Sequence, residues 1–79
     1  LRGAIDLQLN YETFDVVALN QNLPDLELYK GQVGTIVEVY ESTVFEVEFV
    51  DLGGKTYAVE TLNANQLMQL YYAPLPQTA

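Results

Sequence analysis

Carboxylates are the side chains with chemical potential that this sequence supplies in number. The chain of 79 residues has eleven Asp and Glu residues, no His, no Cys and a single Ser, Ser42. Ser42 lies in a stretch that is typical of a turn. Nucleophilic catalysis requires a nucleophile with an adjacent activating base, and here the base is missing. We therefore expect a protein that is not an enzyme and that uses no cofactor and no metal.

Three of the carboxylates are predicted to form a row across one face of a sheet. In the strand register favoured by the apolar pattern, Glu38 lies opposite Glu46, and Glu60 flanks Glu46 on the other side. Such a row is a solvated face, a patch for a basic partner or a site for a hard cation. The third interpretation is the weakest, because a strand face is too flat to enclose Ca²⁺ well.

The net charge of −8 limits the partners that the chain can bind. Arg2, Lys30 and Lys55 are its only cations. Binding to nucleic acids depends on Lys and Arg that neutralise phosphates, and anionic membranes repel acidic chains. We expect no nucleic acid and no membrane as partner, and charge favours a basic protein. Since the chain shows neither a signal-peptide-like segment at its start nor an apolar stretch of the roughly 18 residues that span a bilayer, we expect a cytoplasmic location.

The N-terminal segment shows the alternation of a half-buried strand. Apolar and polar residues alternate over residues 5–11. The apolar positions are Ile5, Leu7, Leu9 and Tyr11. An apolar stripe of this kind must be buried, either on the chain's own barrel or on the sheet edge of a second copy. We favour the second copy, because added burial helps a small domain most.

The rest of the chain is predicted to form short strands joined by turns. An apolar run covers residues 14–19, and two hairpins follow. Their strands are predicted at 33–40, at 44–50 and from Thr56 onward. Asn63 is expected to cap a single turn that precedes a short last strand with Leu67 and Leu70. One register places the apolar residues on one face, with the pairs Val39–Phe45, Val37–Val47, Thr35–Phe49, Phe49–Tyr57 and Val47–Val59.

The spacing Gly31-x-x-Gly34 has two interpretations. It is a turn that needs a positive φ followed by a strand start where another backbone passes closely, or it is a nucleic-acid-binding loop. Lys30 is the one basic residue there, so we favour the turn. In the preceding loop, Leu26 and Leu28 are expected to pack on the core.

Several motifs in order resemble a known family. "FDVVAL", "KGQVGTIVEVY", "FEVEFVD", "GGKTYAVETL" and "NQL" are similar to the pattern of small bacterial SH3-like proteins that are known only as a domain of unknown function. The likeness covers residues 14–70. It implies an SH3-like fold and no assigned activity.

Exposed tyrosines are the other candidate for a binding site. Tyr40, Tyr71 and Tyr72 are interface anchors or merely cover neighbouring apolar residues, Val44 in the case of Tyr40.

We thus expect an all-β, SH3-like barrel of about five short antiparallel strands at residues 14–70. An N-terminal arm at 1–13 carries the extra strand, and an extended tail covers 71–79. The expected function is that of a protein-interaction module that self-associates through its arm and sheet edges. The alternative is an acidic partner of a basic protein, as a toxin-neutralising or regulatory subunit would be.

Overall fold

The computed structural model describes residues 11–71 and residue 74. It contains five strands, all of which pair antiparallel in the sheet order β4-β3-β2-β1-β5. These are β1 Val16–Leu19, β2 Val33–Glu41, β3 Val44–Val50, β4 Thr56–Asn63 and β5 Leu67–Gln69. The all-β prediction of a small barrel-like fold with five short strands is confirmed. The predicted N-terminal strand lies, apart from Tyr11, outside the described residues.

Two short 3-10 turns complete the described part of the chain. Pro24–Leu26 lies between β1 and β2, and Ala64–Gln66 joins β4 to β5. The second turn has Asn63 as its N-cap residue, as predicted, and the Asn63 backbone N–H donates to Gln66 Oε1 at 2.8 Å. Of the helical segments in the described residues, none is long and apolar enough to cross a membrane.

The core lies between the inward faces of the strands. Strand β3 contributes Phe45, Val47 and Phe49, each fully buried, and between them Glu46 and Glu48 point outward. Burial of each such side chain contributes about 1.5–3 kcal/mol, which ties the strand to one register. The remaining core residues are Val17, Leu19, Leu28, Ile36, Leu62 and Leu67.

The first hairpin follows the predicted register only near its turn. Val39 pairs with Phe45, as predicted. The predicted pairs Val37–Val47 and Thr35–Phe49 are wrong, because a β-bulge between Ile36 and Glu38 adds one residue to β2. Ile36 and Gly34 therefore face Val47 and Phe49. The bulge places the fully buried Ile36 in the core.

In the second hairpin, the pairing between β3 and β4 also differs by one residue from the predicted register. Ala58 and Glu60 face Phe49 and Val47, so the predicted pairs Phe49–Tyr57 and Val47–Val59 are wrong. The ladder shifts between Phe49 and Val50, next to a turn that Asp51 holds in place. The Asp51 carboxylate accepts the backbone N–H groups of Gly53 and Lys55, each at 2.9 Å.

Both glycines of the Gly31-x-x-Gly34 spacing have the predicted backbone roles. Gly31 has a φ of +93°, where a side chain is strained. At Gly34, a Cβ atom would lie 3.0 Å from the Glu48 carbonyl oxygen and 2.6 Å from Val47 Cγ1. Gly34 thus lets β2 approach β3 closely. In the loop before them, Leu28 is buried as predicted, whereas Leu26 is exposed because it lies on the outside of the 3-10 turn.

Candidate functional site

The outer side of the β2–β3 hairpin carries a group of carboxylates that we call the acidic face: Glu38, Glu46 and Glu48. Glu38 is directly opposite Glu46 across the ladder, as predicted. Glu48 lies two residues farther along β3 and therefore points to the same side. Like charges directly opposite each other destabilise a sheet by a few tenths to about 1 kcal/mol. The acidic face is therefore an electrostatic cost to the isolated domain.

Hydroxyl groups are the hydrogen-bond donors to this face. The Tyr40 hydroxyl donates to Glu46 Oε1, and Thr56 Oγ1 donates to Glu48 Oε2 at 2.5 Å. The hydrogen bond to Glu46 is the main cause that raises the pKa of Tyr40, and the Glu46 and Glu38 charges add to it. Both donors are neutral, so the negative charge of the face is retained.

The two lysines lie at the other end of the sheet. Lys30 precedes β2, and Lys55 follows the turn in which its carbonyl accepts the Asp51 N–H. Asp51 is five residues from Glu46 along the chain, which corresponds to about 17 Å in a strand. Tyr40 and Glu46 are therefore remote from both cations of the described chain, and the Glu38–Glu46 pair is not neutralised by them.

Glu60 does not belong to the acidic face. It pairs with the buried Val47 and so lies on the core side of β4, where it is half-buried. The position beside Glu46 is taken by Thr61. The predicted row Glu38–Glu46–Glu60 is wrong, because the shift between Phe49 and Val50 turns Glu60 to the other side of the sheet.

The tyrosines predicted as anchors occupy two different places. Tyr40 lies on the acidic face and is half exposed, and its hydroxyl contacts Glu46 rather than only covering Val44. Tyr11 and Tyr71 line a cleft beside β5. Tyr72 and the arm residues Ile5, Leu7 and Leu9 lie outside the described residues.

The cleft beside β5 is a small open depression of about 330 Å³. Its lining residues are Tyr11, Asn20, Leu67, Met68, Gln69 and Tyr71. The Tyr11 ring stands edge-on to the buried Phe45, with 5.3 Å between centroids. The pKa of Tyr11 is raised mainly by burial of its side chain and further by electrostatic interactions with Tyr71 and Asp15. The Asn20 amide donates to the Asn65 and Leu67 carbonyls, whereas Gln69 Oε1 is buried without a hydrogen-bond partner among the described residues.

A family model described as "Domain of unknown function (DUF4926)" matches residues 13–69. The chain belongs to this family. The predicted resemblance over residues 14–70 is thereby confirmed, and the DUF4926 match ends at the last residue of β5. No curated protein and no solved structure matches the chain.

Two hydrogen bonds of the site were not predicted from the sequence of this DUF4926 chain. Thr56, at the start of β4, holds Glu48, and the Tyr40 hydroxyl holds Glu46. The spacing Glu38-x-Tyr40 on one strand was the available indication for Tyr40, because alternate strand residues share a face. Within residues 11–71 and 74, no three acidic residues are grouped as metal ligands. The chemistry that this face offers is the binding of positive charge.

Proposed function

We propose that this DUF4926 chain is a non-enzymatic protein-binding module whose acidic face engages a basic protein. The observation that supports the proposal is the pairing of Glu38 directly opposite Glu46, with Glu48 beside them and neutral hydroxyls as donors. A Lys or Arg placed between the carboxylates relieves their repulsion, and Arg also forms two parallel hydrogen bonds with a carboxylate. The domain thus gains stability when the partner binds.

The surroundings of the acidic face fit a protein partner. Tyr40 and Val59 are both about half exposed on the same outer side of the sheet, and Thr61 lies between Val59 and the end of β4. Protein interfaces are enriched in aromatic residues and surround them with polar groups. A partner with Arg or Lys next to an apolar patch therefore complements both kinds of side chain. This is the arrangement expected of a neutralising or regulatory subunit.

The proposal is tested by capture of partners from cell lysate with two matched double variants. Glu38→Gln with Glu46→Gln removes two charges from the acidic face. Asp25→Asn with Glu27→Gln removes two charges from the exposed turn between β1 and β2. We expect the wild type and the turn variant to capture the same basic protein and the face variant to lose it. Equal capture by both variants contradicts the proposal.

Self-association through the N-terminal arm and sheet edges is the second candidate. It is favoured by β4, an edge strand of eight residues that pairs only with β3 in the described part of the chain. Light scattering of the full chain and of a chain that starts at Tyr11 tests it. A folded, monomeric truncation beside an oligomeric full chain supports self-association, and a full chain that is monomeric at high concentration excludes it.

A further inference from the structure

Among the strands that the structure describes, β4 forms one edge of the sheet. The sheet order puts β3 on one side of it, and none of the other described strands pairs with its second side. Proteins usually protect such edges with Pro, Lys or very short strands. Between Thr56 and Asn63, β4 has neither Pro nor Lys, and it is eight residues long. It is therefore long enough to hold a further strand.

The register shows which backbone groups of β4 are open. The Ala64 N–H donates to the Thr43 carbonyl, which continues the β3–β4 ladder beyond Asn63. Hydrogen-bonded pairs alternate along an antiparallel ladder, so Ala58, Glu60 and Leu62 direct their N–H and C=O groups to β3. Val59 and Thr61 direct theirs outward. Gln66 Oε1 accepts a hydrogen bond from the Asn63 N–H, so this N–H is not available to a further strand.

Carboxylates lie on both sides of this open edge. On the outer side, Thr61 and Val59 separate the edge from Glu46 and Glu48, with which they pair. A strand added beside β4 lies two strand spacings, about 10 Å, from these glutamates, a gap that Lys and Arg side chains bridge. On the core side, Glu60 lies on β4 itself and is half-buried.

We propose that the open edge of β4 binds an extended, basic segment of the partner as a sixth strand. This inference rests on the proposed function, because the acidic face supplies the charge that selects the segment. Alternate Lys or Arg residues reach Glu46 and Glu48 over the half-exposed Val59, and a residue of the other side faces Glu60. Strand β4 of a second copy is a poor occupant, because pairing of the two β4 edges brings Glu60 and the acidic face of each copy against the like charges of the other.

The probe is a blocked synthetic peptide of alternating Lys and Val with the length of β4, and its control is the same peptide with Glu in place of Lys. In the full chain, we expect the Lys peptide to slow hydrogen exchange at the Val59 and Thr61 amides by about tenfold or more. The Glu peptide is expected to leave both rates unchanged. Exchange read by NMR at single residues distinguishes the edge from the acidic face.

Val59→Pro removes one outward N–H without removing a bond to β3, and Val59→Thr keeps that N–H as the matched control. We expect about tenfold weaker peptide binding for the proline variant and none of this loss for the threonine variant. Should the proline variant fail to fold, a peptide that is N-methylated at alternate residues makes the same test on the unchanged protein. Two such peptides are compared, one methylated at the odd and one at the even positions. Only the peptide whose methyl groups replace the N–H groups that face β4 is expected to lose binding.

Three results overturn the edge inference. One is that the Lys peptide does not bind. The same conclusion follows if it binds Val59→Pro as tightly as the wild type and if both N-methylated peptides bind the unchanged protein. In that case, the proposed function is still supported if the variant Glu38→Gln with Glu46→Gln fails to capture the basic protein that the wild type captures. The second is Val59 protection without peptide that disappears when residues 1–10 are removed, which assigns the edge to the chain's own arm. The third is protection that rises with protein concentration alone, which assigns it to a second copy.

Discussion

Glu38 and Glu46 are direct partners across the β2–β3 ladder, and the Tyr40 hydroxyl donates to Glu46 from the same outer side. A like-charged pair at this position destabilises the sheet, whereas a pair of opposite charge stabilises it. Both lysines of the described chain lie at the far end of the strands. The pair therefore concentrates negative potential at one place on a chain whose net charge is already −8.

Neutralising the middle carboxylate is expected to relieve this repulsion. The amide oxygen of Glu46→Gln still accepts the Tyr40 hydroxyl, while its charge no longer opposes Glu38. We expect the free energy of unfolding to stay unchanged or to rise by up to about 1 kcal/mol in equilibrium urea unfolding. Glu38→Gln is expected to behave alike, and the double variant is expected to gain less than the sum. A loss above about 1 kcal/mol in Glu46→Gln contradicts this account.

The pKa of Tyr40 reports on the same pair. It is raised first by the hydrogen bond to Glu46 and least by the Glu38 charge. We expect Glu46→Gln to lower the Tyr40 pKa more than Glu38→Gln does, in an NMR titration of the Tyr40 ring. Tyr11, whose pKa is raised mainly by burial, is the internal control and is expected to stay constant. Equal shifts in both variants argue against the hydrogen bond.

The sign of the linked stability change follows from the raised pKa. A pKa above the ordinary value of 10.0 means that folding favours the protonated Tyr40. This contribution is fully present below pH 10.0 and is lost as the pH rises through the raised pKa. Near neutral pH this contribution does not vary with pH. As the pH rises through the Tyr40 pKa, we expect the free energy of unfolding to fall more steeply in the wild type than in Glu46→Gln, as measured by urea unfolding at a series of alkaline pH values.

The positions of the strands were predictable because the chain has few competing patterns. Strand β3 alternates apolar and acidic residues from Val44 to Val50, and that alternation sets its ends and its buried face. Gly31 and Gly34 indicated a turn and a close approach, and Asn63 indicated a cap. Each of these is a local property of a residue type.

The exact strand register was not predictable in the same way. A β-bulge in β2 and a shift at the start of β4 each displace the pairing by one residue. Such irregularities accompany local bending and twisting of a strand in the folded sheet. An alternating pattern contains no record of such an insertion. This is why Glu46 was placed correctly opposite Glu38, close to the turn, while Glu60 was placed on the wrong side.

Gly34 is expected to tolerate no side chain. A Cβ there meets Val47 Cγ1 at 2.6 Å and the Glu48 carbonyl oxygen at 3.0 Å, so β2 and β3 must separate. We expect Gly34→Ala to lose about 1–3 kcal/mol or more in urea unfolding. Gly53→Ala is the control, because a Cβ atom there would lie 3.4 Å from its nearest neighbour, Asp51 Oδ1. This variant is expected to change the free energy of unfolding by about 0.5 kcal/mol or less. Equal losses contradict the close approach.

Nucleic acids are expected not to bind. Three cations do not offset eleven carboxylates at the contacts with phosphates. A fluorescence-anisotropy titration with DNA and RNA at about 50 mM salt, which exaggerates phosphate contacts, is expected to stay flat. Saturable micromolar binding that weakens with salt shows this expectation to be wrong.

The most direct test of the acidic face is the dissociation constant of the captured basic protein, measured at rising salt concentration. For the wild type and for Asp25→Asn with Glu27→Gln, we expect tight binding at low salt that weakens steadily as charges are screened. For Glu38→Gln with Glu46→Gln, we expect binding that is weaker by about tenfold or more at low salt and depends less on salt. Equal affinities of the two double variants, or a wild-type affinity that salt leaves unchanged, contradict the claim that this face binds the partner.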